Sequence, residues 1–429
     1  MATLLWTILL LLLLILLFSG AVYLVSGSEP EPEPNRNRSG SGEPEPFLAV
    51  MVRFLVKLSQ RIRDSLITIQ SIGLGINYGQ IADNLPSPSL VAYLLASLNI
   101  TRVKLYDADP EVLSSFAGMD TEFIIGLGNE HLQKMMDPDE AKEWIKKNVR
   151  PYASRTKIRC ITVGNEVLTG NNTQLMSSLL PAMQNVGSAL SKLGLSKQIH
   201  VTTAHSFQIL STSFPPSSGS FRQDLVKYIQ GILNFHAKTS SPFLINAYPF
   251  FAYKDDPTHI PLSYVLFEPN DGQMDPSTKL HYDNMLHAQI DAVHSAIKAL
   301  GHADIQVQVS ETGWPSKGDS DEVGATVENA RLYNSNLLRR VEENQGTPLK
   351  PTVLVDIYVF ALFNEDMKPG PMSEKNYGLY YPNGSAVYSI GLQGYIPRMD
   401  YSASSRNVIC FLNLLLLQLA TLIYCIHLS

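Results

Sequence analysis

Cysteine is nearly missing from this chain. Only Cys160, Cys410 and Cys425 occur in 429 residues, and the last two sit in an apolar run at the C-terminus. The central part therefore has one thiol and can form no internal disulfide. No Cys/His set has zinc-ligand spacing, so neither a metal nor a cofactor is expected. Cys160, just ahead of a β-rich run, reads as a small core residue. A surplus of positive charge is also lacking, since the net charge is −6 with 17% charged residues. Neutralising phosphates takes clustered Lys and Arg, so a nucleic-acid partner is not expected. No glycine-rich dinucleotide or phosphate loop follows the first strand, which counts against a nucleotide-binding sheet.

What the chain does have is length and apolar content: 45% of its residues are hydrophobic. That supports one large globular domain with targeting segments at both ends. Residues 1–27 contain an almost unbroken apolar run with no Lys or Arg before it, which fits a signal peptide or a retained signal anchor. Residues 28–70 begin as an acidic Pro/Gly/Ser-rich linker and continue from Phe47 as a basic amphipathic segment. After a domain spanning 71–393, residues 394–407 form a linker in which Ser402-Ala403-Ser404-Ser405 offers a possible lipid-attachment site. The apolar tail 408–429 then completes the outline of a glycosylphosphatidylinositol signal, although the spacer is shorter than the usual roughly 8–12 residues. An ordinary transmembrane tail is the alternative. Both readings route the protein through the secretory pathway to the outer face of the plasma membrane or the cell wall. Sequons at Asn37, Asn99, Asn171 and Asn383 agree with that route.

Between Gly73 and Tyr388 short β-like runs alternate with amphipathic stretches. Strands are predicted at 75–78, 102–106, 122–127, 158–163, 200–204, 243–248, 305–309 and 355–361, and helices at 89–98, 141–152, 175–193, 281–300 and 327–341. Eight strand–helix units in about 300 residues match an α/β fold of the (β/α)8 TIM-barrel kind, here with terminal membrane-targeting segments. Two of these runs end abruptly in glutamate: Ile161-Thr162-Val163-Gly164-Asn165-Glu166 on the fourth and Val307-Gln308-Val309-Ser310-Glu311 on the seventh. Strands three apart in an eight-strand ring face each other across its mouth, where barrel enzymes keep their chemistry. Cleaving a glycosidic bond takes two such carboxyl groups, one to protonate the leaving oxygen and one to attack or to activate water.

At these motifs the sequence resembles the plant β-1,3-glucanases of glycoside hydrolase family 17, across essentially all of 73–388. The matching blocks are Gly75-Ile76-Asn77-Tyr78-Gly79-Gln80, Val163-Gly164-Asn165-Glu166-Val167, Asn246-Ala247-Tyr248-Pro249-Phe250-Phe251, Ser310-Glu311-Thr312-Gly313-Trp314-Pro315-Ser316 and Phe360-Ala361-Leu362-Phe363-Asn364-Glu365-Asp366-Met367-Lys368. The resemblance implies a retaining endo-hydrolase of β-1,3-glucans such as callose. Glu166 would be the general acid/base and Glu311 the nucleophile. It further implies that Asn165 bonds the sugar 2-hydroxyl, with closure of the turn as its alternative role. Glu365, Lys368 and Glu374 match the family's charged cluster beside the nucleophile. Tyr78, Tyr106, Tyr248 and Phe251 would line the glucan groove, since sugar rings pack on aromatic faces. Trp314 is expected to pack beneath the nucleophile loop.

Two features depart from the family. No cysteine-rich carbohydrate-binding module follows the barrel, and the leader up to about residue 70 is unusual. The partner expected is a β-1,3-glucan, bound by a monomer that is tied to the membrane by the lipid anchor or the apolar tail. A cell-surface glucan-binding protein and a glucan transglycosylase are the rival readings. Linkage preference stays open between strict β-1,3 and mixed β-1,3/1,4.

Overall fold

The structure is a computed structural model that describes residues 74–392. The leader, the linker with Asn37, the tail and Cys410 and Cys425 lie outside the described residues. Eight strands form one closed parallel ring: β1 (Leu74–Asn77), β2 (Arg102–Lys104), β3 (Glu122–Leu127), β4 (Lys157–Asn165), β5 (His200–Ser206), β6 (Phe243–Asn246), β7 (Val307–Thr312) and β8 (Ile357–Val359). Each strand pairs with its neighbour in sequence, and β1 pairs with β8 through Leu74 and Ile357 to close the ring. This is the (β/α)8 barrel, and all eight strands fall where the sequence places them, give or take a few residues at their ends.

Strand alternation builds the core in two layers. Ile124, Cys160, Ala204, Leu244 and Tyr358 meet in the lumen. Their outward neighbours Ile125, Ile161, Ile245 and Val359 join the larger core under the helices. Cys160 is thus a lumen residue, and burial pushes its thiol up to about 12, which leaves it inert.

Outside the ring run α1 (Pro88–Ser97), α2 (Pro110–Ser115), α3 (Pro138–Asn148), α4 (Thr173–Lys192), α5 (Val226–Thr239), α6 (Pro249–Asp255), α7 (Leu262–Val265), α8 (Met285–Ala299) and α9 (Val327–Glu342). Several of their starts carry side-chain caps: Asp137 on Asp139 N–H, Asn172 on Leu175 N–H, Asn284 on His287 N–H and Thr326 on Asn329 N–H. After β8 the described chain forms a 3-10 turn (Met372–Lys375) instead of an α-helix, and that segment folds back over the mouth. None of the described helices is long and apolar enough to cross a membrane. Of the sequons, Asn171 and Asn383 are exposed, while Asn99 is half-buried in a left-handed turn (φ 56°) after α1.

One packing feature conflicts with acid. His205 on β5 and His236 on α5 are both buried against Phe243, and His205 stacks on it at 4.6 Å between ring centroids. No ring nitrogen of either finds a hydrogen-bond partner. Burial pushes both imidazoles down to about 3. A histidine whose pKa is depressed by folding is neutral in the native state, whereas the unfolded chain takes up protons below about 6.5. Stability is therefore whole above that pH and falls as the pH drops toward 3, by up to about 1.4 kcal/mol per unit for each ring. Thermal unfolding of His236→Leu should lose roughly half of this acid sensitivity. A melting temperature that tracks the parent's between pH 7 and 4 would contradict the account.

Candidate active site

Both strands that carry the key glutamates are irregular just before them. The register of β4 slips between Thr162 and Asn165, and that of β7 slips between Val309 and Glu311. A slip of this kind bends the strand and re-aims its last side chains. In β4 the bend passes through Gly164 (φ 73°), where an added Cβ would lie 2.7 Å from the Val167 side chain. Glu166 itself is left-handed (φ 54°, ψ 28°), a conformation costing a non-glycine residue on the order of 1–2 kcal/mol. The turn is held by Asn129, which accepts from Asn165 N–H at 2.8 Å and donates to the Asn165 carbonyl at 2.9 Å. Glu166 N–H donates to the Ala204 carbonyl at 2.8 Å. Together these turn the Glu166 side chain into the mouth.

Asn246, at the end of β6, sits between the two carboxylates. Its Nδ2 donates to Glu166 Oε1 at 2.9 Å, and it lies opposite Glu311 in the ladder. Glu311 Oε1 accepts from Lys104 Nζ at 3.0 Å, and Glu311 Oε2 accepts from the Tyr248 hydroxyl at 2.8 Å. Lys104 is 1% exposed. Asn77, on β1, completes its shell: Asn77 Oδ1 accepts from Lys104 Nζ and from the Tyr106 hydroxyl, both at 3.1 Å. Asn77 Nδ2 in turn donates to the carbonyls of Ser310 at 3.0 Å and Val359 at 3.2 Å.

The two carboxyls are driven apart electrically. Burial pushes Glu166 up, the charge of Glu311 adds to that, and the Asn246 amide and Lys104 pull back less strongly. Burial also acts on Glu311, but the Lys104 ammonium and its hydrogen bond, with Tyr106 and the more distant Lys368, outweigh it and hold Glu311 below the usual carboxylate range. Lys104 is pulled below the ordinary lysine value by burial and back up by Glu311. Their direct contact at 3.0 Å favours the ionised form of both. Burial and the Glu311 charge keep the Tyr106 and Tyr248 phenols protonated as donors.

Every residue singled out in the sequence as a catalytic or substrate-binding candidate lies on one cavity of ≈ 470 Å³. Glu166, Glu311, Asn165, Tyr78, Tyr106, Tyr248, Phe251, Glu365, Lys368 and Glu374 all contribute to its wall. Glu365 is buried, accepts from Ile81 N–H at 2.9 Å, and is pushed up by that burial. Lys368 contacts Glu374 at 3.2 Å and lies 3.9 Å from the Phe360 ring centre, so its direct partner is Glu374 and the cation touching Glu311 is Lys104. Tyr78 is almost wholly buried, whereas Phe251 is 37% exposed and also borders a second cavity of ≈ 1010 Å³ that Glu166 and Tyr248 line as well. Trp314 is fully buried, with Nε1 donating to the Gly324 carbonyl at 2.8 Å.

Lys104, Asn77 and Asn246 were not among the sequence candidates. The signal for Lys104 was available, because strand alternation puts it on the same face as Tyr106.

Comparison with known proteins agrees with this geometry. Glucan endo-1,3-beta-glucosidase 14 of Arabidopsis thaliana is 58% identical over 363 residues, covering 84% of this chain and 91% of its own. The glucan endo-1,3-beta-D-glucosidase of Olea europaea is 45% identical over 320 residues, 74% of this chain and 70% of its own. Among solved structures, CJP38, a beta-1,3-glucanase and allergen of Cryptomeria japonica pollen, superimposes with a TM-score of 0.72 at 38% identity, covering 75% of this chain and 99% of that one. Residues 74–392 match the family described as glycosyl hydrolases family 17. The chain belongs to glycosyl hydrolases family 17.

Proposed function

We propose that this protein hydrolyses internal linkages of β-1,3-glucans with retention at the anomeric carbon. One observation carries the reading: two glutamates from β4 and β7 open onto one cavity with opposite proton affinities. Glu311, ionised beside Lys104, attacks the anomeric carbon and forms a glycosyl ester while Glu166 gives its proton to the leaving oxygen. With the leaving chain gone, Glu166 is a carboxylate. It takes a proton from water, whose oxygen displaces Glu311 and restores the starting state. Tyr248 keeps the nucleophile oriented, Phe251 offers an aromatic face to the sugar, and the buried Tyr78 backs the cavity wall. Asn165, Glu365, Lys368 and Glu374 supply polar partners for hydroxyl groups.

The names of the relatives support the substrate class, and we take 71–393 as the catalytic unit. A pure glucan-binding protein has no chemical need for a carboxylate pair tuned in opposite directions. We further propose that the product is extracellular and retained on the membrane by a lipid added near Ser402–Ser405. Phosphatidylinositol-specific lipase should release active enzyme from intact cells, and activity left on the membrane would speak for the apolar tail instead.

Glu311→Ala should lower turnover of an aryl β-laminarioside by more than about 10³-fold. Added azide should then restore part of the rate and give the α-configured glycosyl azide, identified by proton NMR. A β-configured product would rule out Glu311 as nucleophile.

The pH profile has a definite sign. Activity needs Glu311 ionised and Glu166 protonated, so kcat/KM should be bell-shaped. Its acid limb should lie below the ordinary glutamate range and its alkaline limb above it. Lys104→Met removes the cation that holds Glu311 down, and should move the acid limb up by about one unit or more. An acid limb unchanged in that variant would mean another group controls it.

A further inference from the structure

Ser310 precedes the nucleophile and is wholly buried, as is the side chain of Asn246 at 2% exposure. The Ser310 hydroxyl contacts Asn246 Oδ1 at 2.7 Å. The other end of the same amide, Nδ2, faces two oxygens: Glu166 Oε1 at 2.9 Å and Asn165 Oδ1 at 3.4 Å. Each end of the amide therefore has partners of the right kind, donors toward Glu166 and Asn165 and the acceptor toward Ser310.

A carboxamide has nearly the same shape either way round and opposite hydrogen-bond chemistry at its two ends. Turned over, Asn246 would present an acceptor to Glu166. An ionised Glu166 disfavours that arrangement, but a protonated Glu166 satisfies it by donating its proton to Asn246. That proton is the one the leaving oxygen needs. We infer that Ser310 is a positioning residue for the reaction proposed above: its hydroxyl occupies Asn246 Oδ1, so that the amide donates to Glu166 and does not compete for its proton. The inference rests on Glu166 being the acid/base.

Without the hydroxyl, Asn246 Oδ1 is a buried acceptor with no donor, and such atoms seek one. Turning over would give Oδ1 the acid proton of Glu166 but take Nδ2 away from Glu166 and Asn165, so the amide instead loosens in place. The Ser310 carbonyl, which accepts from Asn77, is untouched by a side-chain substitution, so the effect of the hydroxyl can be isolated. Two changes should follow from its loss. The Nδ2 donor to the Glu166 carboxylate weakens, which raises the pKa of Glu166, and the acid is held less firmly toward the leaving oxygen.

The test compares Ser310→Ala, Asn246→Ala and the double variant on a β-1,3-glucan oligosaccharide series, reading kcat/KM against pH. In Ser310→Ala the alkaline limb should move up by about one unit, and kcat should fall most for poor leaving groups. Asn246→Ala should move the limb in the same direction. Because Ser310 acts through Asn246, the double variant should match Asn246→Ala alone. An alkaline limb in Ser310→Ala that coincides with the parent's overturns the inference, as do shifts that add in the double variant. Should the alanine variant not fold, Ser310→Cys retains the volume with a feeble donor and is read in the same way. If the parent releases no oligosaccharides at all, the assigned reaction fails. The titration of Glu166 followed by carbon-13 NMR in the same variants then still decides whether Ser310 holds the amide.

Discussion

The buried contact between Lys104 and Glu311 is the constraint on which the mouth of this barrel depends. Taking an ammonium and a carboxylate out of water costs several kcal/mol for each. The protein offsets this with a shell of donors and acceptors: Asn77 on the lysine, itself held by Tyr106, and Tyr248 on the glutamate. Removing any one partner would leave a charge with too little around it. The arrangement also has a chemical result, since it fixes a carboxylate as an anion in a place where burial alone would have neutralised it.

The anion then acts on its counterpart. Glu166 is raised partly by burial and partly by the negative charge of Glu311, so ionising one carboxyl helps keep the other protonated. The separation in proton affinity thus comes largely from the pair itself and from one asymmetrically placed lysine. Strand irregularities do the aiming. Slips in β4 and β7 fall within a few residues of the two glutamates, and the strained backbone at Glu166 is tied down by Asn129 and Ala204.

Much of this was legible in the sequence. Strand alternation located all eight strands because parallel barrel strands are short β-branched runs bounded by turn residues, as at Ile161-Thr162-Val163. The helix Val226–Thr239 is not among the clearest helical stretches of the sequence; its apolar positions are interrupted by Gly231 and by a buried histidine that reads as polar. The glutamates stood out because they end strands. Lys104 did not, since a lysine in a strand reads as solvent-facing unless its face is assigned from Tyr106. Asn77 and Asn246 lay inside recognised motifs, but their work is to bridge residues from distant strands, and no local pattern carries that. For the same reason Lys368 was read as the neighbour of Glu311, when its direct contact is Glu374.

Asn77 ties the timing of assembly to the chemistry. Its amide joins β1 to the Ser310 carbonyl 233 positions later and to the Val359 carbonyl 282 positions later. During synthesis the first strand must wait for nearly the whole domain to emerge before that amide has its acceptors. Non-local closures of this sort are slow, and they leave strand edges open while they are pending. Until the ring shuts, Lys104 lacks its seat and Glu311 has no fixed counter-ion. A nascent or truncated chain therefore holds both glutamates without the contacts that set their charges.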